Sequence, residues 1–250
     1  MTGQWTSERA VSDTVAFTLI FAVIITSVGF TGLFGVDAIE TVRDSAQANT
    51  AEVSMQGFAM GMEDIRTDNV PRRSIQFQLE GDRLTIYNSS LRIEVGYTNG
   101  SYSNHTIELS SFVRRSTRST SVVYTSGAMF RQEENGEVTI RRPTLRCGSD
   151  TAHISLIALD GNVSYATGSS VTLQNTAQRR EAILPVTKTT PVSNVQNITV
   201  NVTDARSATS WQRLFESDFP AWSGSKGRYT CSNIQDGFVR VTHIETRIIR

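Results

Sequence analysis

The chain has 250 residues with 24 basic and 24 acidic side chains, so it lacks the basic excess that nucleic-acid-binding proteins usually carry. We therefore expect no nucleic acid among its partners. Once about 70 N-terminal residues are set aside, the roughly 180 that remain are enough for one well-packed domain.

The first element in chain order is an apolar run, residues 14–36, without a single Lys, Arg, Asp, Glu or His. At about 1.5 Å per residue, a helix of this length extends roughly 33 Å and matches the roughly 30 Å hydrocarbon core of a bilayer. The run therefore predicts a transmembrane helix. A secretory signal peptide is the alternative, although its apolar region is about 7 to 15 residues long and ends in a small-residue cleavage site. A buried core helix is the third alternative.

The flanks and the glycines of this run predict its orientation and packing. Arg9 precedes the run, and the positive-inside rule then puts the N-terminus in the cytoplasm and everything after Val36 outside the cell. Gly29, Gly32 and Gly35 recur every third residue, and small residues at such spacing let membrane helices pack closely.

Residues 37–69 keep a helical composition and contain no proline, so we expect the helix to continue as a stalk until Pro71 stops it. The predicted apolar face of this stalk consists of Ile39, Val42, Ala46, Val53, Met60 and Ile65.

After residue 70 the pattern changes to short alternating segments separated by turn residues, which is typical of an antiparallel sandwich. Residues 74–79 and 84–87 predict a hairpin around a turn at residues 80–83. The further predicted strands are 91–97, 106–109, 121–125, 128–132, 137–141, 152–159, 171–175, 182–186, 195–202, 228–232 and 238–249. One helix is predicted at 207–219. The fold class is therefore α+β: a long N-terminal transmembrane and stalk helix, then an antiparallel β-rich, sandwich-like extracellular head with one short helix near the C-terminus.

Two cysteines, Cys147 and Cys231, lie in the predicted head. Outside the cell they would form a disulfide, with two buried free thiols as the alternative; two cysteines alone make no recognisable metal site. The head also contains N-glycosylation motifs, which mark surface positions in an exported protein. The candidate asparagines are Asn88, Asn99, Asn104, Asn162, Asn197 and Asn201.

No motif predicts catalysis, since the HExxH, GxSxG, GxGxxG and P-loop patterns are all missing. His105, His153 and His243 are isolated in the sequence, with no carboxylate or cysteine at metal-ligand spacing. We expect no enzyme, no metal and no cofactor, although separate carboxylates can still converge in space. Four Arg-Arg pairs, at 72–73, 114–115, 141–142 and 179–180, are interpreted as solvated strand ends.

Residues 9–15, Arg-Ala-Val-Ser-Asp-Thr-Val, followed by the apolar run resemble the class III signal of archaeal type IV pilins. The resemblance implies that a prepilin peptidase cuts between Ala10 and Val11 and leaves the apolar helix on the mature subunit. Asp13 would then pair with the new amine of a neighbouring subunit. Over its whole length the chain also resembles uncharacterised haloarchaeal membrane proteins with pilin-like N-termini, including Ser-Gly-Ala-Met-Phe-Arg at 126–131 and Trp-Gln-Arg-Leu-Phe at 211–215.

The predicted function is that of a minor pilin or pseudopilin at the cell surface. It would be a single-pass protein that its N-terminal helix anchors in the membrane. The same helix could also join it to the helices of like subunits in a filament. The predicted parts are a leader at 1–10, a transmembrane and assembly helix at 11–36, a stalk at 37–69 and a head at 70–250. The alternative is an anchored surface domain that binds a carbohydrate, a protein or a surface layer and is never assembled.

Overall fold

The computed structural model describes residues 7–79, 81–116, 120–161, 168–184 and 194–249. In chain order the elements of these residues are α1 (Ser7–Thr67), β1 (Arg72–Gln78), β2 (Arg83–Tyr97), β3 (Tyr102–Arg115), β4 (Ser121–Thr125), β5 (Ala128–Glu133), β6 (Gly136–Arg141), β7 (Thr144–Cys147), β8 (Thr151–Gly161), β9 (Ser170–Leu184), β10 (Val195–Asn201), α2 (Ala208–Asp218), β11 (Ser223–Ser225), β12 (Arg228–Ser232) and β13 (Asp236–Ile249).

The chain divides into two compact units, Met1–Thr50 and Ala51–Arg250. Helix α1 contributes residues to both units, and the second unit also contains every described strand and α2. The sequence predicted that the head begins at residue 70, whereas the second unit begins at Ala51. The difference arises because the last turns of α1 bury side chains among the strands of that unit.

The strands form two sheets, and the predicted α+β class is confirmed. A five-stranded sheet has the order β1-β9-β13-β8-β7, and an eight-stranded sheet has the order β11-β12-β10-β2-β3-β4-β5-β6. Neighbouring strands are antiparallel except for β8 and β13, which pair in parallel along the whole of β8. The two-residue β4–β5 turn places Ser126 (φ 49°) and Gly127 (φ 86°) in the left-handed region, as tight hairpins require.

Strand β8 is buried on both faces at residues 156–159. Ile154, Leu156 and Ala158 pack in one hydrophobic cluster, whereas Ile157 and Leu159 pack in another. Since side chains alternate between the two faces of a strand, β8 separates these clusters. Burial on both sides accounts for the continuous apolar run at residues 156–159, whereas residues 151–155 alternate between buried and more exposed side chains.

The predicted hairpin of residues 74–79 with 84–87 does not form. Strand β1 pairs instead with β9, from Arg72 opposite Thr176 to Gln78 opposite Ser170, and β2 belongs to the other sheet. Phe77 and Leu84 are both fully buried in the same cluster. The short connection therefore joins the two sheets, and both strands bury side chains in one hydrophobic cluster.

The part of α1 in the second unit, residues 51–67, is amphipathic and is called the packed segment below. Its buried side chains recur every three or four residues, with Phe58 and Ala59 adjacent; they are Ala51, Met55, Phe58, Ala59, Met62 and Ile65. The predicted face was wrong at Val53 and Met60, which are 67% and 56% exposed. Phe58 contacts the rings of Phe112 and Tyr124, with centroid separations of 4.5 and 5.2 Å.

A buried ion pair also holds the packed segment. Arg114 on β3 is 1% exposed, and its Nε donates to Oδ2 of the fully buried Asp82 at 2.6 Å. Its two terminal nitrogens donate to the hydroxyl of Ser54 and to the backbone carbonyl of Gln78. The interpretation of Arg114 as a solvated strand end was therefore wrong. Each of the three guanidinium nitrogens finds an acceptor there, which burial of a charge demands.

Helix α2 confirms the predicted C-terminal helix to within one residue at each end. Trp211, Leu214 and Phe215 are buried, and the ring of Phe215 stacks on that of Tyr229 with centroids 4.4 Å apart. Trp211 also contacts the ring of Phe130 on β5, so the helix packs with its aromatic side chains against strands near both ends of the eight-stranded sheet.

Candidate functional site in the N-terminal helix

The first unit contains an uninterrupted apolar stretch of helix, Thr14–Gly32, called the apolar segment below. It is 19 residues long, with a mean hydropathy of 2.1, and none of it is buried. At about 1.5 Å per residue it extends about 28 Å, close to the thickness of a bilayer core. By length and composition it is the one helical stretch among the described residues that is suited to crossing a membrane.

The hydroxyl groups of the apolar segment are satisfied within the helix. Thr18, Thr26 and Thr31 donate to the carbonyl oxygens of Thr14, Ala22 and Ser27, respectively, at 2.7 to 2.9 Å. Ser27 donates in the same way to a carbonyl one turn earlier. A hydroxyl bonded to its own helix costs little when it leaves water. The sequence can therefore enter an apolar environment despite its Ser and Thr content.

One face of the apolar segment forms a shallow groove of about 380 Å³. Its lining residues are Leu19, Ala22, Val23, Thr26, Ser27 and Phe30. They follow one another by three and one residues in turn, which keeps them on one side of a helix. Small side chains at the middle, between Leu19 and Phe30, leave a depression of the kind that a neighbouring helix can enter.

No neighbouring atom of the described chain requires glycine at the two glycine positions of the segment. A Cβ at Gly29 or Gly32 would meet no atom within 4 Å. Each glycine nevertheless costs about 1 kcal/mol of helix propensity relative to alanine. At about 100° per residue, Gly29 lies beside the groove and Gly32 lies on nearly the opposite side of the helix, so the two glycines do not belong to the groove.

The predicted leader and assembly residues Arg9, Ala10, Val11 and Asp13 all lie within the backbone of α1. Their side-chain environments lie outside the described part of the structure, so cleavage and the pairing of Asp13 stay predictions.

The predicted disulfide is confirmed in the second unit. Cys147 on β7 is bonded to Cys231 on β12, with Cα atoms 5.7 Å apart. Strand β7 belongs to the five-stranded sheet and β12 to the eight-stranded one. The bond therefore ties the two sheets together across 84 residues of sequence.

Comparison with known proteins places these features in a family. The model of DUF7289, a family of unknown function, matches residues 9–247. The chain belongs to the DUF7289 family. No curated protein and no solved structure gives a significant match. Because the match includes the apolar segment and both cysteines, the DUF7289 pattern combines the N-terminal helix with the β-rich unit.

The glycosylation motifs of this DUF7289 member are concentrated on one hairpin. Asn88 and Asn104 are exposed on β2 and β3, and Asn99 is exposed in the turn between these strands. Asn197 on β10 is half-buried, and its amide lies so close to Gly96 that a Cβ added to this glycine would come within 2.6 Å of it. The three exposed asparagines of the hairpin are accessible to modification, and their glycosylation stays a prediction.

The two remaining predicted glycosylation positions are not described exposed sites. Asn201 is only 7% exposed, and its side-chain oxygen accepts hydrogen bonds from the backbone N–H and hydroxyl of Thr203. It is therefore not the surface position that the motif predicted. Asn162 lies outside the described residues.

The histidines, isolated in the sequence, have different surroundings in the fold. His153 stacks on Phe238 of the parallel neighbour β13 with centroids 4.6 Å apart. Partial burial, together with Arg240 and Arg146, lowers its pKa. His105 and His243 line one cleft of the second unit, although they are far apart in sequence. Among the described residues no three His, Cys, Asp or Glu side chains form a group suited to a metal ion.

Proposed function

We propose that this DUF7289 member is a pilin-like surface subunit, a minor pilin or pseudopilin, that its apolar segment anchors in the membrane and joins to like subunits. The proposal is of a structural subunit rather than an enzyme. The observation that carries it is the apolar segment itself, uncovered on every side, with its hydroxyls satisfied internally and a groove along one face.

Exposed apolar surface is the reason for the anchoring step. Phe17, Ile20 and Val28 are more than 60% exposed, and their neighbours are similar. Keeping such surface in water costs about 25 cal/mol for each Å². A bilayer removes that cost, and the 19-residue length fits its hydrocarbon core. The disulfide supports placing the β-rich unit outside the cell, since such bonds persist in oxidising surroundings. With Arg9 on the cytoplasmic side, the chain spans the membrane once.

The grooved face is the reason for the assembly step. Lipid tails are as apolar as leucine, so helices associate in membranes by close packing rather than by a hydrophobic driving force. The groove around Ala22 and Thr26 supplies a surface for such packing, and the same segment of a second copy is the proposed occupant. A prepilin peptidase that cuts between Ala10 and Val11 would leave this segment at the start of the mature chain. Asp13 would then neutralise the new amine of a neighbour.

Disulfide crosslinking tests the assembly face. Both native cysteines are bonded to each other, so a single added cysteine is the one free thiol. Ala22→Cys puts a thiol in the groove, and Ile24→Cys puts one two residues later, roughly 200° around the helix at a similar depth. In native membranes under mild oxidation we expect covalent dimers of Ala22→Cys and few of Ile24→Cys. Equal crosslinking of the two variants would contradict the proposed face.

Intact-mass measurement tests the leader. We expect the mature protein to begin at Val11, and replacement of Arg9 and Ala10 to leave the full-length chain in the membrane. Thr6→Ala is the control and should be processed normally. Detection of Met1 in the mature wild-type protein would exclude the leader.

The second candidate is an anchored surface domain that binds a ligand and is never assembled. The cleft in the β-rich unit that contains His105 and His243 favours it. Monomeric behaviour of the Ala22→Cys variant, together with full membrane retention, would select this candidate.

A further inference from the structure

A polar cleft opens in the second unit between β3 and the strands β8, β9 and β13. Its volume is about 670 Å³, and it adjoins a hollow of about 560 Å³ that shares Asp160, Arg179 and His243 with it. Small-molecule sites in proteins occupy roughly 300 to 1,000 Å³. The cleft therefore has the size of a binding site.

Incomplete strand pairing creates the cleft. Strand β4 pairs with β3 only at Phe112–Arg115, so the preceding part of β3 has β2 alone as a neighbour among the described strands. Strand β7 pairs with β8 only as far as Ser155. Beyond Ser155, β13 is the one described strand that pairs with β8. The two sheets thus leave a gap where both partners end, and the cleft lies beside it.

Ion pairs and hydrogen bonds connect the side chains of the polar wall of the cleft. Glu181 accepts from Arg179, with an N–O distance of 3.2 Å, and its other neighbour is Nε2 of His243 at 3.1 Å. In the adjoining hollow, Glu245 accepts from Gln178 and from Nε of Arg247, both at 2.6 Å. Each arginine is thus matched to a carboxylate of the same wall.

Two further carboxylates remain available in the cleft. Glu108 on β3 and Asp160 on β8 are exposed, and neither forms an ion pair with a described residue. Thr106 lies on the same strand as Glu108, and the amide of Gln178 lines the adjoining hollow. Carboxylates accept hydrogen bonds, whereas amides and hydroxyls both donate and accept them.

Below these groups the cleft has an apolar floor. Ile107, Ile183 and Val241 line it and are each at most 8% exposed. The site therefore combines dense polar groups of both hydrogen-bonding types with a small apolar surface.

We propose that this cleft binds a neutral saccharide. Vicinal hydroxyls donate to Glu108 and Asp160 and accept from amide, hydroxyl and guanidinium groups, while the C–H face of a sugar ring covers the apolar floor. An anionic ligand would meet the two unpaired carboxylates. An apolar ligand would cover polar groups without bonding them. The inference does not depend on assembly through the apolar segment.

Saturation-transfer NMR on the full chain tests the proposal. The protein is made in a host that attaches no glycans to asparagine, because glycans on Asn88 or Asn104 would stand at the cleft. It is held in a detergent without a sugar headgroup, which would otherwise compete. The probes are maltotriose, cellotriose, mannotriose and N,N′,N″-triacetylchitotriose at millimolar concentration. We expect transfer to at least one of them.

The double variant Glu108→Ala/Asp160→Ala should weaken that binding at least tenfold. The matched control Asp68→Ala/Glu134→Ala removes two exposed carboxylates elsewhere and should bind as the wild type does, and equal thermal midpoints show that both variants fold. Transfer to none of the four probes overturns the proposal, and so does equal binding by the two double variants. Loss of crosslinking at Ala22→Cys with saccharide binding retained contradicts only the proposed assembly.

Discussion

The apolar segment and the packed segment belong to one helix but differ in the burial of their hydrophobic side chains. In the apolar segment, aromatic and aliphatic side chains occupy every side of the helix and none is buried. In the packed segment most of them occupy one side, where Phe58 and Met62 are fully buried among side chains of the strands, whereas Val53 and Met60 are exposed.

The difference shows where each segment finds its stability. The packed segment is covered by its own chain, so its energetics belong to the folding of the second unit. The apolar segment is covered by nothing in the described chain, and under the proposed function a bilayer or another subunit covers it. Equivalent substitutions in the two segments should therefore have unequal effects on the unfolding of the second unit.

Replacement of Phe58 should give the largest effect. Phe58→Ala removes a fully buried ring from contact with Phe77, Phe112 and Tyr124 and should cost about 3 to 5 kcal/mol. Phe21→Ala, the matched change in the apolar segment, should stay within about 0.5 kcal/mol. Guanidinium unfolding of the full chain in detergent, followed by tryptophan fluorescence, measures both. A similar loss from Phe21→Ala would remove the distinction between the segments.

Breaking the buried ion pair should cost nearly as much. Arg114→Met takes away the buried cation that faces Asp82 and should destabilise the second unit by about 3 to 5 kcal/mol. The neighbouring Arg115 is exposed, and Arg115→Met is the control, with an effect within about 0.5 kcal/mol. Addition of Asp82→Leu to Arg114→Met should restore much of the loss, because it removes the buried carboxylate as well. The same unfolding assay reports all three variants.

Removal of the disulfide should have an intermediate effect. Cys147→Ser/Cys231→Ser releases a long loop in the unfolded chain and should cost about 2 to 4 kcal/mol. Crosslinking at Ala22→Cys in this background should be unchanged, because the bond lies in the second unit. Dithiothreitol should lower the thermal midpoint of the wild type and leave that of the double variant unaltered; a shift in both would point to a cause other than the bond.

Alkaline pH should give the smallest effect, and only in the second unit. Burial and the hydrogen bond to Glu216 raise the pKa of Tyr229 to about 12, and burial also raises that of Tyr124. The folded state then keeps protons that the unfolded state releases, so stability should fall as the pH rises from about 10 towards 12. Tyr229→Phe should flatten this fall in unfolding measurements between pH 9 and 12. An unchanged slope would show that another group controls it.

Local signals in the sequence predicted many of the strands well. β4 and β12 have the predicted bounds, Ser121–Thr125 and Arg228–Ser232, because turn residues end them on both sides. β9 was predicted as two separate strands but is continuous, since its central polar residues, such as Gln178, lie on an exposed surface. Strand propensity is low for these polar residues, and it takes no account of the pairing with β13 that keeps the strand extended.

Contacts between strands that are distant in the sequence could not be predicted from local patterns, for a related reason. β1 was paired with its nearest neighbour in sequence, yet it crosses to β9. The cleft was not predicted at all, because Glu108, Asp160 and His243 come from three strands that are distant in sequence. No spacing rule connects such residues, and only the sheet order brings them to one place.

The sequence by itself determined the apolar segment and the β-rich character of the second unit, because hydrophobic run length and turn residues act locally; it predicted the disulfide but left two free thiols open, and the structure decided for the bond. The tertiary structure alone decided which side of α1 is buried at Phe58 and Met62, that Arg114 is an interior cation, and where the cleft opens. Those features depend on which surfaces of distant strands meet, and the free energy of that choice is shared by many residues at once.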